Sequence, residues 1–106
     1  MQADPSQVRV VLITHPEENA QHFARRLVEA GLAACVNLHA LKSVYRWEGE
    51  LETSTESQLI LKTHAQQLAE LELFLEREHP YDVPEFIVLT PESVGRKYAA
   101  WIAEVL

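Results

Sequence analysis

One cysteine, Cys35, in 106 residues leaves no partner for an internal disulfide. That usage fits a reducing compartment. Glycine is almost as scarce. Gly31, Gly49 and Gly95 are the only three, too few and too scattered for a glycine-rich phosphate cradle. Basic residues are also short, nine against sixteen acids, for a formal net charge of −7. Only Arg25-Arg26 and Arg96-Lys97 are adjacent. The chain therefore lacks the basic face that a nucleic-acid backbone or an anionic membrane requires, and neither is expected as a partner. No apolar run approaches membrane-spanning length. The opening "MQADPSQ" has acid and proline where a secretory leader has basic and then apolar residues, so a cytoplasmic protein is expected. There is no C-x-x-C, H-x-H or H-E-x-x-H, and no nucleophile elbow, and nothing in the residues supports an enzyme.

What is present suffices for one ordinary domain. Apolar residues make up 47% of the chain, close to the globular average. We expect a flexible arm over 1–7 and a single domain over 8–106.

Val8 to Thr14 is β-branched and apolar on both alternations, as in a central strand. Thr14-His15-Pro16-Glu17 has the form of a capping box, with proline in the first turn. Phe23, Ala24, Leu27 and Val28 then recur at helical spacing, and Gly31 supplies the stop. Leu32 to Asn37 returns to the sheet, Leu38 to Lys42 reads as a short irregular link, and Ser43 to Trp47 as a strand. Glu48-Gly49 signals a turn, and the returning arm ends in Gln58 to Lys62. Thr63-His64-Ala65-Gln66 resembles a second capping box. After it Leu68, Leu71, Phe74 and Leu75 form one stripe, with Leu73 off it and expected to be exposed or to face a partner. Glu85 to Thr90 is a further buried-type strand. Gly95 to Leu106 closes as a helix with Tyr98, Trp101, Ile102 and Val105 on one side.

This order predicts an α+β, ferredoxin-like split βαβ sandwich with a long β-hairpin and an extra C-terminal helix. Both main helices should lie on one face of the sheet. The apolar residues on the other face then need a cover, and a neighbouring subunit is the obvious one.

Five pieces in order carry a family resemblance. They are "VVLIT" in the first strand, "GLAACVN" at 31–37, "YRWEGELE" at 45–52, "LILKT" at 59–63 and "HPYDVPE" at 79–85. Together they resemble the divalent-cation tolerance family CutA. The resemblance implies a ferredoxin-like fold, a tight homotrimer packed through sheet edges, a cytoplasmic location and a link to copper and other divalent metals. Members argued to bind copper carry a cysteine at the end of the first strand and a second histidine before "HPY". Here those positions hold Ile13 and Glu78, and His79 alone remains of the set.

The site residues follow from both arguments. His79 is the metal candidate, with Asp82 or Glu85 nearby; alternatively it only ends a helix before Pro80. His15 and His64, each in an expected first helical turn, read as surface residues. Copper or another divalent cation is expected to bind weakly, with no certain cofactor. Pro80 and Pro84 make "EHPYDVPE" a stiff corner, where Lys62, Tyr81 and Glu85 are expected as a polar cluster, either ligand pocket or structural ion pair. Tyr45 and Trp47 share one strand face and read as a subunit interface, or else fold back beneath Trp101. Metal-ion tolerance without catalysis is the leading expectation. A PII-like small-molecule or nucleotide sensor is the second, and a structural scaffold the third.

Overall fold

The first strand, β1 (Val8–Pro16), has neighbours on both sides, and the sheet is built around it. The computed structural model describes residues 3–106. A sharp reversal leads into α1 (Ala20–Glu29), and two very long strands follow, β2 (Cys35–Trp47) and β3 (Glu50–His64). Then come α2 (Leu68–Glu78), the short β4 (Ile87–Leu89) and α3 (Arg96–Val105). The sheet order is β2-β3-β1-β4, and every pairing is antiparallel. Within the arm expected over 1–7, Pro5–Gln7 form one 3-10 turn capped by the Asp4 side chain; Met1 and Gln2 lie outside the described residues.

Antiparallel partners point their side chains to the same face, so the register sorts the residues. Val11, Ile13, Leu59 and Leu61 face α1 and α2 and form the main core with Phe23, Leu27, Leu71 and Leu75. Both main helices therefore lie on this face, as expected. The other face carries Val10, Leu12, Ile60, Ile87 and Leu89. There α3 covers only one end, where Ala99 and Ile102 pack on Val8 and Ala34. Ile87 and Leu89 are each 46% exposed, so much of this second face is open in one chain.

Several local expectations are corrected. The stretch 38–42 is not a link, since each residue pairs with β3, from Leu38 opposite Leu59 to Lys42 opposite Thr55. Neither capping box forms. β1 runs on to Pro16, and Asn19, in the left-handed region at φ 67°, precedes α1 with no side-chain cap. β3 runs on to His64, the Thr63 hydroxyl is used by the Leu32 carbonyl oxygen at 2.8 Å, and a 3-10 turn at Ala65–Gln67 leads into α2. In both places pairing along β1 and β3 outweighs the local capping signal. His15 and His64 are accordingly buried strand residues, not surface ones. The fourth strand is only three residues long. On α3 the buried stripe is Ala99, Ile102 and Ala103; Tyr98 and Trp101 stack on each other and stay exposed. Leu73 is half exposed, as its position off the stripe predicts.

The hairpin overhangs the body. β3 has fifteen residues and β1 nine, so the strand residues within 42–55 pair only with each other. The molecule measures 45 × 26 × 22 Å, and its radius of gyration is 14.5 Å, against ~13 Å for a compact chain of this length. Glu48 (φ 50°) and Gly49 (φ 82°) both take the left-handed region at the tip, which suits a tight two-residue hairpin turn.

Candidate functional site

The base of the overhang and the corner after α2 enclose one recess of about 650 Å³. β2 supplies Ser43, Tyr45 and Trp47, three alternate residues on the second face. Thr14 of β1 and Glu56 of β3 form its floor. The opposite wall is the segment 80–85, whose two prolines fix its course.

Hydrogen bonds hold that wall in place. His79 ends α2, its N–H donating to the Leu75 carbonyl oxygen at 3.0 Å. Its ring then spans two backbone groups. Nε2 lies 2.8 Å from the Thr14 carbonyl oxygen, and Nδ1 accepts the Tyr81 N–H at 3.1 Å. A carbonyl oxygen only accepts, so Nε2 carries the proton and the ring is neutral. Burial is the first cause of a pKa below the ordinary imidazole value, with the nearby His15 ring acting in the same direction.

Tyr81 reaches across the recess, its hydroxyl donating to Glu56 Oε2 at 2.8 Å. Glu56 is only 6% exposed. Burial pushes the phenol pKa well up, and the Glu56 carboxylate adds to this as hydrogen-bond acceptor and as charge. The phenol is thus a fixed donor. Gln58 Nε2 donates to Glu85 Oε2 at 2.9 Å and to the Ile13 carbonyl oxygen at 3.0 Å, which ties the end of the wall to β1.

Of the expected cluster, Tyr81 and Glu85 line the recess and Lys62 does not. Lys62 lies four residues beyond Gln58 on β3, ~13 Å along the strand, and its ammonium binds the Asn37 side chain. Its strand is separated from β4 by β1. Tyr45 and Trp47 sit at 42% and 44% exposure on the rim of the recess, where the Ser54 hydroxyl lies 3.3 Å from the Tyr45 hydroxyl. Trp101 stacks with Tyr98 on α3 and takes no part in the recess. His79 supports the recess from behind, with both ring nitrogens engaged. A metal on it would have to displace one of those bonds. Among the described residues no three His, Cys, Asp or Glu side chains gather as a metal-binding group. The family-type copper donor set therefore does not fit here. Cys35 is partly exposed beside Tyr98.

Glu56 is the residue the sequence reading missed. A signal was present: in "TSTESQLILK" the buried alternation of Leu59 and Leu61 places Glu56 on the same face as Gln58, the face that also carries Tyr45.

This strand order, with two helices on one face and a long hairpin, defines a ferredoxin-like α+β domain of the PII-like kind. The chain belongs to the CutA family: residues 9–105 match the family model described as CutA1 divalent ion tolerance protein. It is 43% identical over 97 residues to the divalent-cation tolerance protein CutA of Thermus thermophilus, covering 90% of this chain and 94% of that one. CutA from Synechococcus elongatus superposes with a TM-score of 0.91 at 41% identity, over 95% of this chain and 91% of that one. A protein from Nostoc described as PII-like CutA, in apo form, superposes with a TM-score of 0.84 at 33% identity, over 89% and 92% of the two chains.

Proposed function

We propose that this chain forms a cytoplasmic homotrimer that supports tolerance of copper and other divalent metals by binding a small ligand in the recess, without catalysis. The observation that carries this reading is the recess itself: a hairpin wall, a proline-stiffened wall and a buried carboxylate, locked together by Tyr81, His79 and Gln58. Pockets of this size are typical of small-ligand sites. A catalytic group would need an activated nucleophile or base, and the fixed, neutral Tyr81 phenol is neither. Copper contact is weak in this reading, because His79 is already spent on the backbone.

Two unsatisfied features support the assembly. The second face leaves Ile87 and Leu89 half exposed, and the overhang is a two-stranded ribbon of marginal stability alone. Copies arranged with closed symmetry would cover both, and would also bury the free edges of β2 and β4. A nucleotide fits the recess poorly, since its lining holds three carboxylates and no basic side chain. Light scattering at micromolar concentration, with calorimetric titrations of Cu(II), Zn(II), ATP and small organic ligands on the same sample, tests the reading. A trimer that takes a small organic ligand saturably and copper only weakly is the expected result. A monomer, or one tight copper per chain, overturns it.

A further inference from the structure

We propose that His64 is a pH-sensitive pin beneath α3: when its ring takes a proton, α3 lifts from the end of the second face.

His64 ends β3 directly opposite Val8 of β1, and residues paired in this way share a face. It therefore points to the second face, at the end where Ala99 and Ile102 of α3 pack on Val8 and Ala34. The residue is 2% exposed. A neutral imidazole brings one donor and one acceptor, yet neither His64 ring nitrogen has a hydrogen-bond partner among the described residues. Three residues on, the buried Gln67 Oε1 has none either. His15 and His79, the other two buried histidines, are each tied to a carbonyl oxygen. His64 is thus held in its slot by packing alone.

Histidine changes charge near neutral pH, and a charge in such a slot needs a partner. The surroundings offer little. Asp4, ahead of the 3-10 turn, attracts the charged ring, but it is exposed and its Oδ1 already accepts from the Ser6 N–H and hydroxyl. Arg9 on β1 repels the charged ring. Lys62, two residues back on the same strand face, is a further cation. On α3 the residues packed at this end are uncharged, and Arg96, Lys97 and Glu104 are exposed. Burial dominates and holds the His64 pKa below the ordinary imidazole value. With α3 lifted the ring meets water, and its pKa returns toward 6.5. Acid below that value therefore favours the lifted state.

The helix is the part that can yield. β3 lies between β1 and β2 in the sheet, so withdrawing His64 would disturb the ladder. α3 reaches the sheet through residues 90–95, which are neither helix nor strand, and seats on it through a small cluster. Elements with few buried apolar contacts open first.

Hydrogen exchange of the intact protein tests this, with α1, on the other face of the sheet, as internal reference. The ratio of α3 to α1 protection cancels the intrinsic pH dependence of exchange. Between pH 7.5 and pH 5 we expect protection of the 99–105 amides to fall at least tenfold relative to α1. In His64→Leu the relative fall should be less than twofold. NMR titration of the His64 ring in the parent chain gives a second reading that does not depend on the variant folding. Its midpoint should coincide with the loss of α3 protection. Parallel loss in α1 and α3, a relative fall that survives His64→Leu, or a ring that titrates apart from the helix overturns the proposal.

Discussion

His15 and His79 meet edge to face, with ring centroids 5.1 Å apart and planes at 66°. Both rings also pack on Phe23. His15 Nδ1 donates to the Pro16 carbonyl oxygen at 2.8 Å, and His79 Nε2 donates to that of Thr14. Two imidazoles from distant parts of the chain thus finish the end of β1, both buried.

That arrangement sets a pH dependence. The pKa values of His79 and His64 are both lowered, chiefly by burial. His79 faces His15 and Glu56, and His64 lies near Asp4 and Arg9. When a pKa is lower in the folded chain than in the unfolded one, the unfolded chain takes the proton first. The stability contribution is complete above the unfolded value near 6.5 and is lost as pH falls below it toward the folded values. Urea midpoints should therefore drop between pH 7.5 and pH 5. His64→Leu should flatten the profile, since neither His64 ring nitrogen has a hydrogen-bond partner among the described residues. A midpoint independent of pH over that range would contradict this account.

His79 is expected to matter for stability rather than for copper. His79→Ala strips a partner from the Thr14 carbonyl oxygen and from the Tyr81 N–H, at a cost of about 1–3 kcal/mol. Copper uptake in equilibrium dialysis at pH 7.5 should match the parent chain. A copper loss with unchanged urea stability would reverse the assignment.

Tyr81→Phe removes the hydrogen bond to the buried Glu56 and leaves the ring in place. We expect a loss of about 1–3 kcal/mol, the cost of an under-satisfied buried charge. The double variant Tyr81→Phe, Glu56→Gln should lose less than the sum of the single changes, because the two residues form one unit. Strict additivity in urea unfolding would show that the contact contributes nothing.

At the hairpin tip, Gly49→Ala forces a side chain into a φ of 82°, and the left-handed region costs an L-residue about 1–2 kcal/mol. Glu48→Asn should act in the opposite direction, since asparagine accepts a positive φ more readily than glutamate does. Hydrogen exchange of the amides in 44–53 is the measurement. It should speed up in the first variant and slow in the second.

Ile87→Glu places a charge on the open second face, opposite Leu12, at a residue that does not itself line the recess. Sedimentation should show the proposed trimer giving way to single chains while their circular dichroism persists. An unchanged sedimentation coefficient would remove the second face from the subunit contact.

The fold was legible because hydrophobic alternation and turn residues point the same way in β1, at Glu48-Gly49 and along α2. The misses have a common origin. Thr14-His15-Pro16 and Thr63-His64 look like helix starts, yet each continues a strand whose partner across the sheet is already in register. Residues 38–42 lack β-branched residues, and pairing with β3 carries them through. Local preference is weak beside a continuous ladder. At the site, the corner at 79–85 was readable from its prolines, and Tyr81 and Glu85 from its composition. Lys62 was misplaced because β3 and β4 follow one another along the chain through α2, whereas the split βαβ order puts β1 between them. Glu56 was hidden because an acid in a polar stretch normally faces water.

The unbroken thirteen-pair ladder between β2 and β3 makes the hairpin sensitive to parity. Side chains alternate faces, so Tyr45 and Trp47 point into the recess only while the count from the body of the sheet stays even. Adding one residue to β2 between Asn37 and Ser43 would turn both rings to the opposite face. Matched pairs of residues added to both strands beyond Trp47 would lengthen the ribbon and leave the rings where they are. Natural length variation in this hairpin should therefore collect at its tip, in even steps, and avoid the stretch between the body of the sheet and the aromatic rim.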